Sequence, residues 1–573
     1  MFITLKMIIQ TNDLFSMILK FNKIAVLVLF LCLFCSANIL AQGHDEHVTI
    51  KGSFQPTLRD FGKLSVAPEI ETNAFEIGET IIQPIDTVLA SNIELELITP
   101  LNLKTENAQP NFQNYLLAGF GSRVSPVFVY KHNSNLSKNI AFGLGISHHS
   151  SWMNKNEYAP SSFMNNQIDL NLDNKLNNYT LHSKAFYANE MVHYYGFKPI
   201  DYPVIAVDNE LITQKYQTFN ISSGLQSSRK SNGGLYHEAT INYQYFSDKF
   251  KSSEHAIVMN ASAEKAYKWL KSKDKQFIAV ETGLNSYING DSVSGTNNFR
   301  FNIVPSVRLS GDYYQLKLGV NLDLHTNDHS PVYIFPAIES GLFLFERNLK
   351  FYANLGGNSQ FNGYQQLAKE NPFVSSVLPL EWKNTSLKFQ GGMKALLFHD
   401  FDIHIGVEYS NIKNESFFVT DSTSVYSNKF TLFYDDVKWF TFLAEVGYSL
   451  TEKLELKSVY RYNKIQLHDL TAPFYQPTNQ FNLLANYTFD EKLRFNASVY
   501  YVGERFASTY ASGLETIHTL KPFVDLNLGG LYKINDSFEV FAQLNNLLNW
   551  QYQRFYNYPV NGFELYAGIT VRF

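Results

Sequence analysis

The alternation of apolar and polar residues along short segments is the feature that most constrains the fold of this chain. Every second residue back from the C-terminal Phe573 is apolar, namely Val571, Ile569, Ala567, Leu565 and Phe563. Because side chains alternate between the two faces of a strand, this segment has one apolar face and one polar or small face. An amphipathic strand with an aromatic carboxyl end, in a chain that repeats the pattern, is typical of a transmembrane β-barrel.

The segment from Tyr314 to Leu324 shows the same pattern at greater length. Its apolar set is Tyr314, Leu316, Leu318, Val320, Leu322 and Leu324, with Gln315, Lys317, Gly319, Asn321 and Asp323 between them. A tilted strand needs about 9 to 11 residues to cross a bilayer, and this segment is long enough. Charged side chains are costly on a lipid face, so we expect Lys317, Asp323 and likewise Lys394 to face a wet lumen.

The number and spacing of these segments predict the architecture. We count about 22 candidate strands between residues 114 and 573, within a range of 16 to 22. Short polar turns alternate with longer segments at 152–162, 191–213, 357–383 and 507–521. Barrels have short periplasmic turns and long extracellular loops. The chain is therefore predicted to be an all-β, antiparallel transmembrane barrel, and an even strand number puts both barrel termini on the periplasmic side.

Composition is consistent with a barrel and narrows the function classes. Aromatic residues make up 15% of the 573 residues, with 47 Phe and 35 Tyr. That share is high for a soluble enzyme and is typical of barrels with aromatic girdles at both membrane interfaces. The net charge of -5 is modest, whereas nucleic-acid binding needs a basic face. We therefore expect no nucleic-acid partner.

The first 41 residues have the order of a secretory signal peptide. An apolar run from Ile24 to Leu33 follows two lysines, and small residues lead to a cleavage position after Ala41. Both cysteines, Cys32 and Cys35, fall inside this leader, so the mature chain would lack thiols. No later stretch of about 18 apolar residues occurs, so any membrane crossing must use strands.

Residues 42–113 differ from the rest in composition. Prolines punctuate this stretch at Pro56, Pro68, Pro84, Pro100 and Pro110, which favours extended segments and turns over a packed domain. We interpret it as a periplasmic arm or an extended segment in the lumen, followed by an outer-membrane barrel over residues 114–573.

The end of the chain resembles a known family. An Asn-Leu-x-Asn element is followed by a tyrosine, a Tyr-Pro pair and a closing strand with Gly and a terminal Phe, at Asn546, Leu547, Asn549, Tyr552, Tyr558, Pro559, Gly568 and Phe573. This order resembles the end of TonB-dependent outer-membrane receptors. The resemblance implies a 22-stranded barrel that takes up a solute across the outer membrane. It covers roughly the last 80 residues specifically and the earlier strands only as a pattern.

The front of the chain departs from that family. Such receptors carry a folded plug of well over a hundred residues, and only residues 42–113 precede the first predicted strand here. We therefore expect a receptor-like barrel without a conventional plug. Val48, Thr49 and Ile50, within the stretch from Glu46 to Gly52, resemble the short segment through which such receptors contact TonB, and a disordered arm or an edge strand added to a partner explains them as well.

Candidate recognition residues lie in the predicted loops. Aromatic side chains there could stack on a ligand or anchor a protein, at Tyr194, Tyr195, Phe197, Tyr364 and Trp382. Residues that only sit at the lipid headgroups are the alternative, above all for Trp382. No set of Ser, His and acidic residues converges on a hydrolase site. We expect no catalytic residue, no metal and no cofactor.

Two functional classes remain open. The barrel transports a solute across the outer membrane, or it is a non-transporting structural or partner-docking barrel in an outer-membrane assembly. Expected partners are outer-membrane lipid, the barrel-assembly machinery, and TonB or a periplasmic or surface protein. The closing strand, with Phe563, Leu565, Ile569, Val571 and Phe573, is the segment we expect the assembly machinery to use.

Overall fold

The computed structural model describes residues 112–573, apart from 204–206, 229–233, 271–273, 291–296, 327–331, 399, 452 and 512–513. The predicted signal peptide, the arm and the candidate TonB-contact residues Val48, Thr49 and Ile50 lie outside the described residues. Within the described ranges, no helix is long and apolar enough to cross a membrane.

Antiparallel strands make up most of the described chain. They are β1 (Asn114–Gly121), β2 (Ser125–Ser137), β3 (Ile140–Ser151), β4 (Phe163–Lys175), β5 (Tyr179–His193), β6 (Thr213–Ser227), β7 (Tyr236–Asp248), β8 (Ser253–Ala266), β9 (Lys275–Asn289), β10 (Asn297–Ser310), β11 (Tyr314–His325), β12 (Val332–Leu344), β13 (Leu349–Phe361), β14 (Trp382–Leu397), β15 (Phe401–Thr420), β16 (Phe430–Thr451), β17 (Leu454–Gln466), β18 (Asn479–Thr488), β19 (Leu493–Val502), β20 (Arg505–Ala511), β21 (Leu514–Leu520), β22 (Phe523–Lys533), β23 (Phe538–Asn545) and β24 (Glu564–Arg572). Two short α-helices, α1 (Asn209–Ile212) and α2 (Tyr364–Glu370), and a 3-10 helix, Pro199–Asp201, lie between strands.

Twenty-two of these strands form one closed sheet. Each strand pairs with its neighbours in chain order, β19 pairs with β22, and β1 pairs with β24. The seam runs antiparallel from Tyr115 opposite Arg572 to Gly121 opposite Tyr566. Strands β20 and β21 form a separate hairpin. The predicted fold class, an antiparallel barrel of about 22 strands, is confirmed.

The period-2 pattern sets which side chains face outward. On β11, Leu318, Val320 and Leu324 are 43%, 42% and 39% exposed, whereas Asn321 and Asp323 are 7% and 0% exposed. The outward face is apolar and the inward face is polar, because alternate residues point to opposite sides of a sheet. The predicted register of this strand is therefore confirmed, and the wall has the apolar outer face of a barrel in lipid.

The two ends of the barrel differ in their connections. At the short-turn end lie Asn114, Phe573 and turns such as 138–139, 311–313, 345–348 and 534–537. At the opposite, long-loop end lie the segments 152–162, 194–212, 362–381, 421–429, 467–478, 503–522 and 546–563. The long connections thus collect at one end, as their alternation in the sequence predicts.

Candidate functional site

Ion pairs line the inner wall of the barrel. Arg572 contacts Glu539 at 2.9 Å, with side chains 9% and 1% exposed. Lys317 contacts Glu281 at 2.7 Å, and Arg300 contacts Asp323 at 2.7 Å. These pairs join neighbouring or nearby strands across the inward face, so they hold charged groups of the wall in fixed positions. The wall can present fixed charge to whatever enters the lumen.

The long loops pack together into a hydrophobic core at their end of the barrel. We call this core the mouth cap. It consists of buried side chains from all seven long loops and the adjoining strand ends: Ala159, Phe163, Val192, Tyr194, Tyr195, Phe197, Ile212, Tyr216, Phe246, Phe361, Tyr364, Leu367, Ala368, Phe373, Val374, Leu378, Leu380, Trp382, Phe418, Val419, Tyr426, Phe430, Leu432, Ala472, Phe474, Tyr475, Ala507, Leu520, Phe555 and Tyr558. Burial of aromatic and aliphatic surface is the main force that stabilises such a core.

Three aromatic rings from three different loops meet inside the mouth cap. The ring centroids of Phe373 and Tyr558 lie 3.8 Å apart, those of Tyr195 and Tyr558 4.9 Å apart, and those of Tyr195 and Phe373 5.8 Å apart. All three side chains are at most 1% exposed. We call them the aromatic triad. Distances of this size are those of favourable stacked and edge-to-face aromatic pairs.

The loops that carry the triad come from widely separated parts of the wall. Tyr195 follows β5, Phe373 lies between β13 and β14, and Tyr558 lies between β23 and β24. These three hairpins are eight, eight and six strand positions apart around the 22-stranded ring. Loops spaced almost evenly around a ring can touch one another only near its centre. The mouth of the barrel is therefore bridged by its own loops.

Hydrogen bonds fix the triad loops to one another and to the segment 421–429. The Tyr195 hydroxyl donates to the carbonyl of Pro559 at 2.9 Å, and the Tyr194 hydroxyl donates to the carbonyl of Val374 at 2.9 Å. The Tyr558 hydroxyl donates to the carbonyl of Asn428, whose side-chain amide donates to the carbonyl of Tyr194. These buried hydroxyl, amide and carbonyl groups are thus paired with each other, as a stable interior requires.

One carboxylate ties the segment 362–381 to the wall. The Oδ2 atom of Asp248, at the end of β7, accepts hydrogen bonds from the Tyr364 hydroxyl at 2.8 Å, the Gln214 amide at 3.0 Å and the Ser376 hydroxyl. Its Oδ1 atom accepts from the backbone N–H of Ser252 at 2.8 Å. We call this group the Asp248 latch. Bonds to an ionised acceptor are stronger than neutral ones, so the latch is a strong point of attachment.

The end of helix α2 carries a titratable group. Desolvation, and next the nearby charge of Glu415, raise the pKa of Glu370 to about 7, while Arg554 and Lys383 oppose the shift. Burial lowers the pKa of Lys429, which lies 4.6 Å from the ring centre of Tyr194. The mouth cap therefore contains charged groups whose protonation depends on how tightly the loops pack.

The predicted recognition aromatics lie inside the mouth cap. Tyr194, Tyr195 and Tyr364 are 0%, 1% and 0% exposed, and Phe197 and Trp382 are 4% and 6% exposed. Phe197 stacks on Tyr426 with centroids 4.1 Å apart, and Trp382 stacks on His325 at 4.5 Å. In this arrangement their rings contact protein, and a ligand could reach them only if the loops move. Their role in recognition stays a prediction.

The closing strand lies at the barrel seam. Phe563, Leu565, Ile569 and Phe573 are 40%, 41%, 48% and 58% exposed on the outer face, and Val571 is opposite Leu116 and Phe538. Their use by an assembly machinery stays a prediction. Among the described residues, one group has the ligand spacing of a metal site, namely Asp435, His468 and Asp469. Asp435 there already accepts backbone N–H bonds from His468, Asp469 and Leu470.

Sequence reasoning missed the Asp248 latch and the contact of Tyr558 with Tyr195. No local pattern marks Asp248, Gln214 or Ser376. Each hydrogen bond that joins Asp248 or Gln214 of the wall to the segment 362–381 connects residues that are more than 100 positions apart in the chain. One signal was available: the Tyr558-Pro559 pair, noted for its resemblance to a family motif, supplies both a triad ring and the carbonyl that Tyr195 binds.

Comparison with known proteins adds evidence on the fold. No protein-family model and no curated protein sequence matches this chain. Solved structures do match, with the same barrel. The barrel is TonB-dependent receptor-like in fold. One match is the pyoverdine outer membrane receptor of Pseudomonas aeruginosa, at 12% identity and a TM-score of 0.60, covering 81% of this chain and 78% of that one.

Two further receptors match over similar lengths. The siderophore receptor of Acinetobacter baumannii has 12% identity and a TM-score of 0.61, covering 80% of each chain. The ferric-catecholate import receptor of Escherichia coli K12 has 11% identity and a TM-score of 0.60, covering 81% of this chain and 82% of that one. The resemblance noted at the end of the sequence therefore holds for the barrel as a fold. A shared fold does not determine function, which depends on the residues of the site.

Proposed function

We propose that this protein is an outer-membrane barrel that takes up a solute, and that the mouth cap is the gate through which the solute enters the lumen. The observation that carries the proposal is the aromatic triad. Three loops evenly spaced around the wall meet at Tyr195, Phe373 and Tyr558. A receptor-like barrel with a bridged mouth needs loop movement for passage.

The architecture of the gate supports this function. The segment 362–381 is joined to the wall by hydrogen bonds to separate side chains, among them the Asp248 latch and the Glu254 carboxylate, which accepts the backbone N–H of Tyr364 at 2.7 Å. A loop held by side-chain contacts, outside the strand ladder, can open as a unit while the sheet stays intact. The rings released by opening, including the five predicted recognition aromatics, would then line the entrance. They are suited to stack on a flat or cyclic ligand.

Location and energy supply belong to the same proposal. The apolar outer face and the fold of outer-membrane receptors support an outer-membrane location with the long loops outside and both barrel termini in the periplasm. Residues Val48, Thr49 and Ile50 would be the contact for TonB or another periplasmic protein.

A non-transporting, partner-docking barrel is the second candidate. Exposed apolar side chains on the long loops favour it: Ile200 is 79% exposed, Val425 63% and Val377 62%. Exposed apolar residues at one end of a protein mark an interaction surface when they form a patch.

Conductance in planar bilayers separates the two candidates. If the cap is a gate, replacing residues 363–380 by a short Gly-Ser linker in a barrel that lacks residues 42–111 produces open channels. The docking alternative predicts a stoichiometric partner that copurifies with the wild type and is lost from an Ile200→Ser, Val377→Ser and Val425→Ser variant, with conductance unchanged by the linker. Open channels in the linker variant, with no copurifying partner, support uptake. A stoichiometric partner, with no channels in the linker variant, overturns it.

A further inference from the structure

A serine, a histidine and an asparagine form a hydrogen-bonded chain on the outer face of the barrel. The Nδ1 atom of His148 lies 2.7 Å from the Oδ1 atom of Asn166, and its Nε2 atom lies 3.1 Å from the Oγ atom of Ser150. His148 and Ser150 are on β3, and Asn166 lies directly opposite His148 on β4. We call these three residues the Ser150 triad. Its third member comes from another strand, which is why the sequence alone shows no converging set.

The partners of His148 fix its tautomer. The Oδ1 atom of Asn166 can only accept a hydrogen bond, so the Nδ1 atom of His148 carries the proton. The Nε2 atom then accepts the hydroxyl hydrogen of Ser150. A histidine that is oriented by one group and bonded to a hydroxyl through its other nitrogen activates a serine as a nucleophile. Both distances lie within the reach of about 2.6 to 3.2 Å that proton transfer needs.

A further hydrogen bond places a donor beside the nucleophile. The indole N–H of Trp152 donates to the Oγ atom of Ser150 at 3.1 Å. When Oγ attacks an acyl group, negative charge develops on an oxygen of the same carbon, next to Oγ, where an N–H group can stabilise it. Ser150 is 0% exposed, whereas Trp152 is 51% exposed and lies one residue beyond β3. The indole can therefore move to admit a substrate without breaking the strand ladder.

The Ser150 triad faces lipid. Phe128, directly opposite His148 on β2, is 37% exposed, and Ile168, two residues after Asn166 on β4, is 42% exposed. His149, between the two β3 members of the triad, is 2% exposed on the inner face. Polar side chains are costly on a lipid face, and those that occur there mark functional sites. The surroundings of the triad suit an acyl chain.

The position along the barrel indicates which bond could be attacked. Ser150 is the next-to-last residue of β3, at the long-loop end, and Trp152 follows it. Tryptophan is enriched at the level of the lipid headgroups. The ester bonds of membrane lipids lie between the headgroups and the acyl chains, close to this level. An ester carbonyl can thus reach Ser150 while its acyl chain lies along the apolar wall.

A similar set of residues at the short-turn end differs in one respect. The Nδ1 atom of His132 lies 2.8 Å from the Oδ1 atom of Asn114, and its Nε2 atom lies 3.0 Å from the Oγ atom of Ser134. Among the described residues, no N–H group donates to the Oγ atom of Ser134, and the Oδ1 atom of Asn114 is shared with the Tyr130 hydroxyl. This difference makes the set an internal control for the Ser150 triad.

We propose that the Ser150 triad hydrolyses the fatty acyl ester of a membrane lipid. The Oγ atom of Ser150 attacks the ester carbonyl carbon, its proton passes to the Nε2 atom of His148, and the Trp152 N–H binds the oxyanion. The bond to the alcohol oxygen of the lipid breaks, and that oxygen takes the proton from His148. Water then attacks the acyl-serine and gives a proton to His148, which returns it to Ser150 as the fatty acid leaves. Asn166 is a positioning residue that holds the His148 ring.

Covalent labelling of the full-length protein in isolated outer membranes tests the nucleophile. The probe is hexadecylsulfonyl fluoride, in which the oxygen of an activated serine displaces fluoride from sulfur. Mass spectrometry should find the label on Ser150, and His148→Gln should lower the labelling at least about 100-fold. Two controls should leave it unchanged, namely Ser151→Ala, the neighbour on the inner face, and Ser134→Ala, in the set at the short-turn end.

Turnover in mixed micelles tests the reaction and identifies the lipid. One arm supplies phosphatidylethanolamine and the other lipopolysaccharide, and the released fatty acid is measured. Release in either arm supports the proposal and names the source of the ester. Ser150→Ala should lower kcat at least about 10³-fold. Asn166→Ala should lower kcat with little change in KM, and Asn166→Asp, which keeps an acceptor for the Nδ1–H group of His148, should restore most of it.

Four outcomes would overturn the inference. They are an unlabelled Ser150 in the wild type, labelling that His148→Gln does not change, fatty-acid release in neither arm, and release that Ser150→Ala does not change. Wild-type gel mobility of the unheated barrel shows that each variant has assembled. Because the site lies on the outer face and no readout involves passage through the lumen, failure leaves the proposed gate untouched.

Discussion

In the barrel wall, the surroundings of a residue follow from its position within its own strand, whereas in the mouth cap they follow from residues far away in the chain. Leu318 is 43% exposed and Asn321 is 7% exposed because they point to opposite sides of β11. Tyr195 is buried because Pro559 and Tyr558, more than 360 residues later, close over it. The wall is thus encoded locally, and the cap depends on the completed wall.

We expect the largest effect when a charged side chain is placed on the outer, lipid-facing side of the wall, because the whole barrel should then fail to assemble. Leu318→Arg puts a charge on the outer face and should cost about 2 to 4 kcal/mol at mid-membrane depth. The variant should not assemble, as seen by loss of the compact band of the unheated barrel on gels. Gln315→Arg, on the inner face of the same strand, should assemble normally. Equal behaviour of the two variants would mean that the faces of β11 are assigned wrongly.

Removal of one ring of the aromatic triad should disrupt the mouth cap and leave the barrel wall assembled. Phe373→Ala leaves a cavity where three loops meet, and truncation of a buried Phe costs about 3 to 5 kcal/mol. We expect rapid proteolysis within residues 362–381 in an otherwise assembled barrel. Phe351→Ala, on the outer face of the hairpin that carries this loop, is the matched control and should leave the loop resistant. Loss of the whole barrel in Phe373→Ala would contradict the separation of wall and cap.

The Asp248 latch should have a smaller effect limited to one loop. Asp248→Asn replaces an oxygen that accepts from Tyr364, Gln214 and Ser376 by a group that cannot accept all of them. Loss of bonds to a charged acceptor costs about 1 to 3 kcal/mol. Relative to the wild type, amide hydrogen exchange should accelerate more in residues 362–381 than in residues 546–563. Asp201→Asn, at an exposed position in 194–212, should change neither segment. Equal acceleration of both segments would show that the latch supports the entire cap.

The smallest effect is a pH dependence of cap stability. The pKa of Glu370 is raised to about 7, mainly by desolvation. The folded cap therefore binds this proton more tightly than the opened cap does, and the stabilisation is present at low pH and is lost as pH rises through 7. Exchange in 362–381, corrected for the intrinsic pH effect, should be slower at pH 5 than at pH 8. Glu370→Gln should remove the difference, and an unchanged difference would assign it to another group.

The sequence predicted the wall well and the cap only in part. Period-2 alternation predicts which residues of a strand face lipid and which face the lumen, because successive side chains point to opposite sides of the sheet. It therefore predicts that Lys317 and Asp323 face the lumen. The predicted number of about 22 strands agrees with the 22 strands of the barrel. The loops at 194–212 and 362–381 were recognised by length. Which rings within them would touch could not be predicted, since Tyr195, Phe373 and Tyr558 meet only after β1 pairs with β24. Hydrogen-bond partners such as Asp248 and Ser376 belong to no periodic pattern in the sequence, so they could not be predicted either.

Single-channel conductance of a barrel that lacks residues 42–111 but keeps its loops tests most directly whether the mouth cap bridges the lumen at its long-loop end. With the arm removed, only the cap can block current. We predict that this barrel stays closed, and that replacing residues 363–380 by a short linker in the same background opens it. Steady conductance with the cap intact would show that the cap does not bridge the lumen.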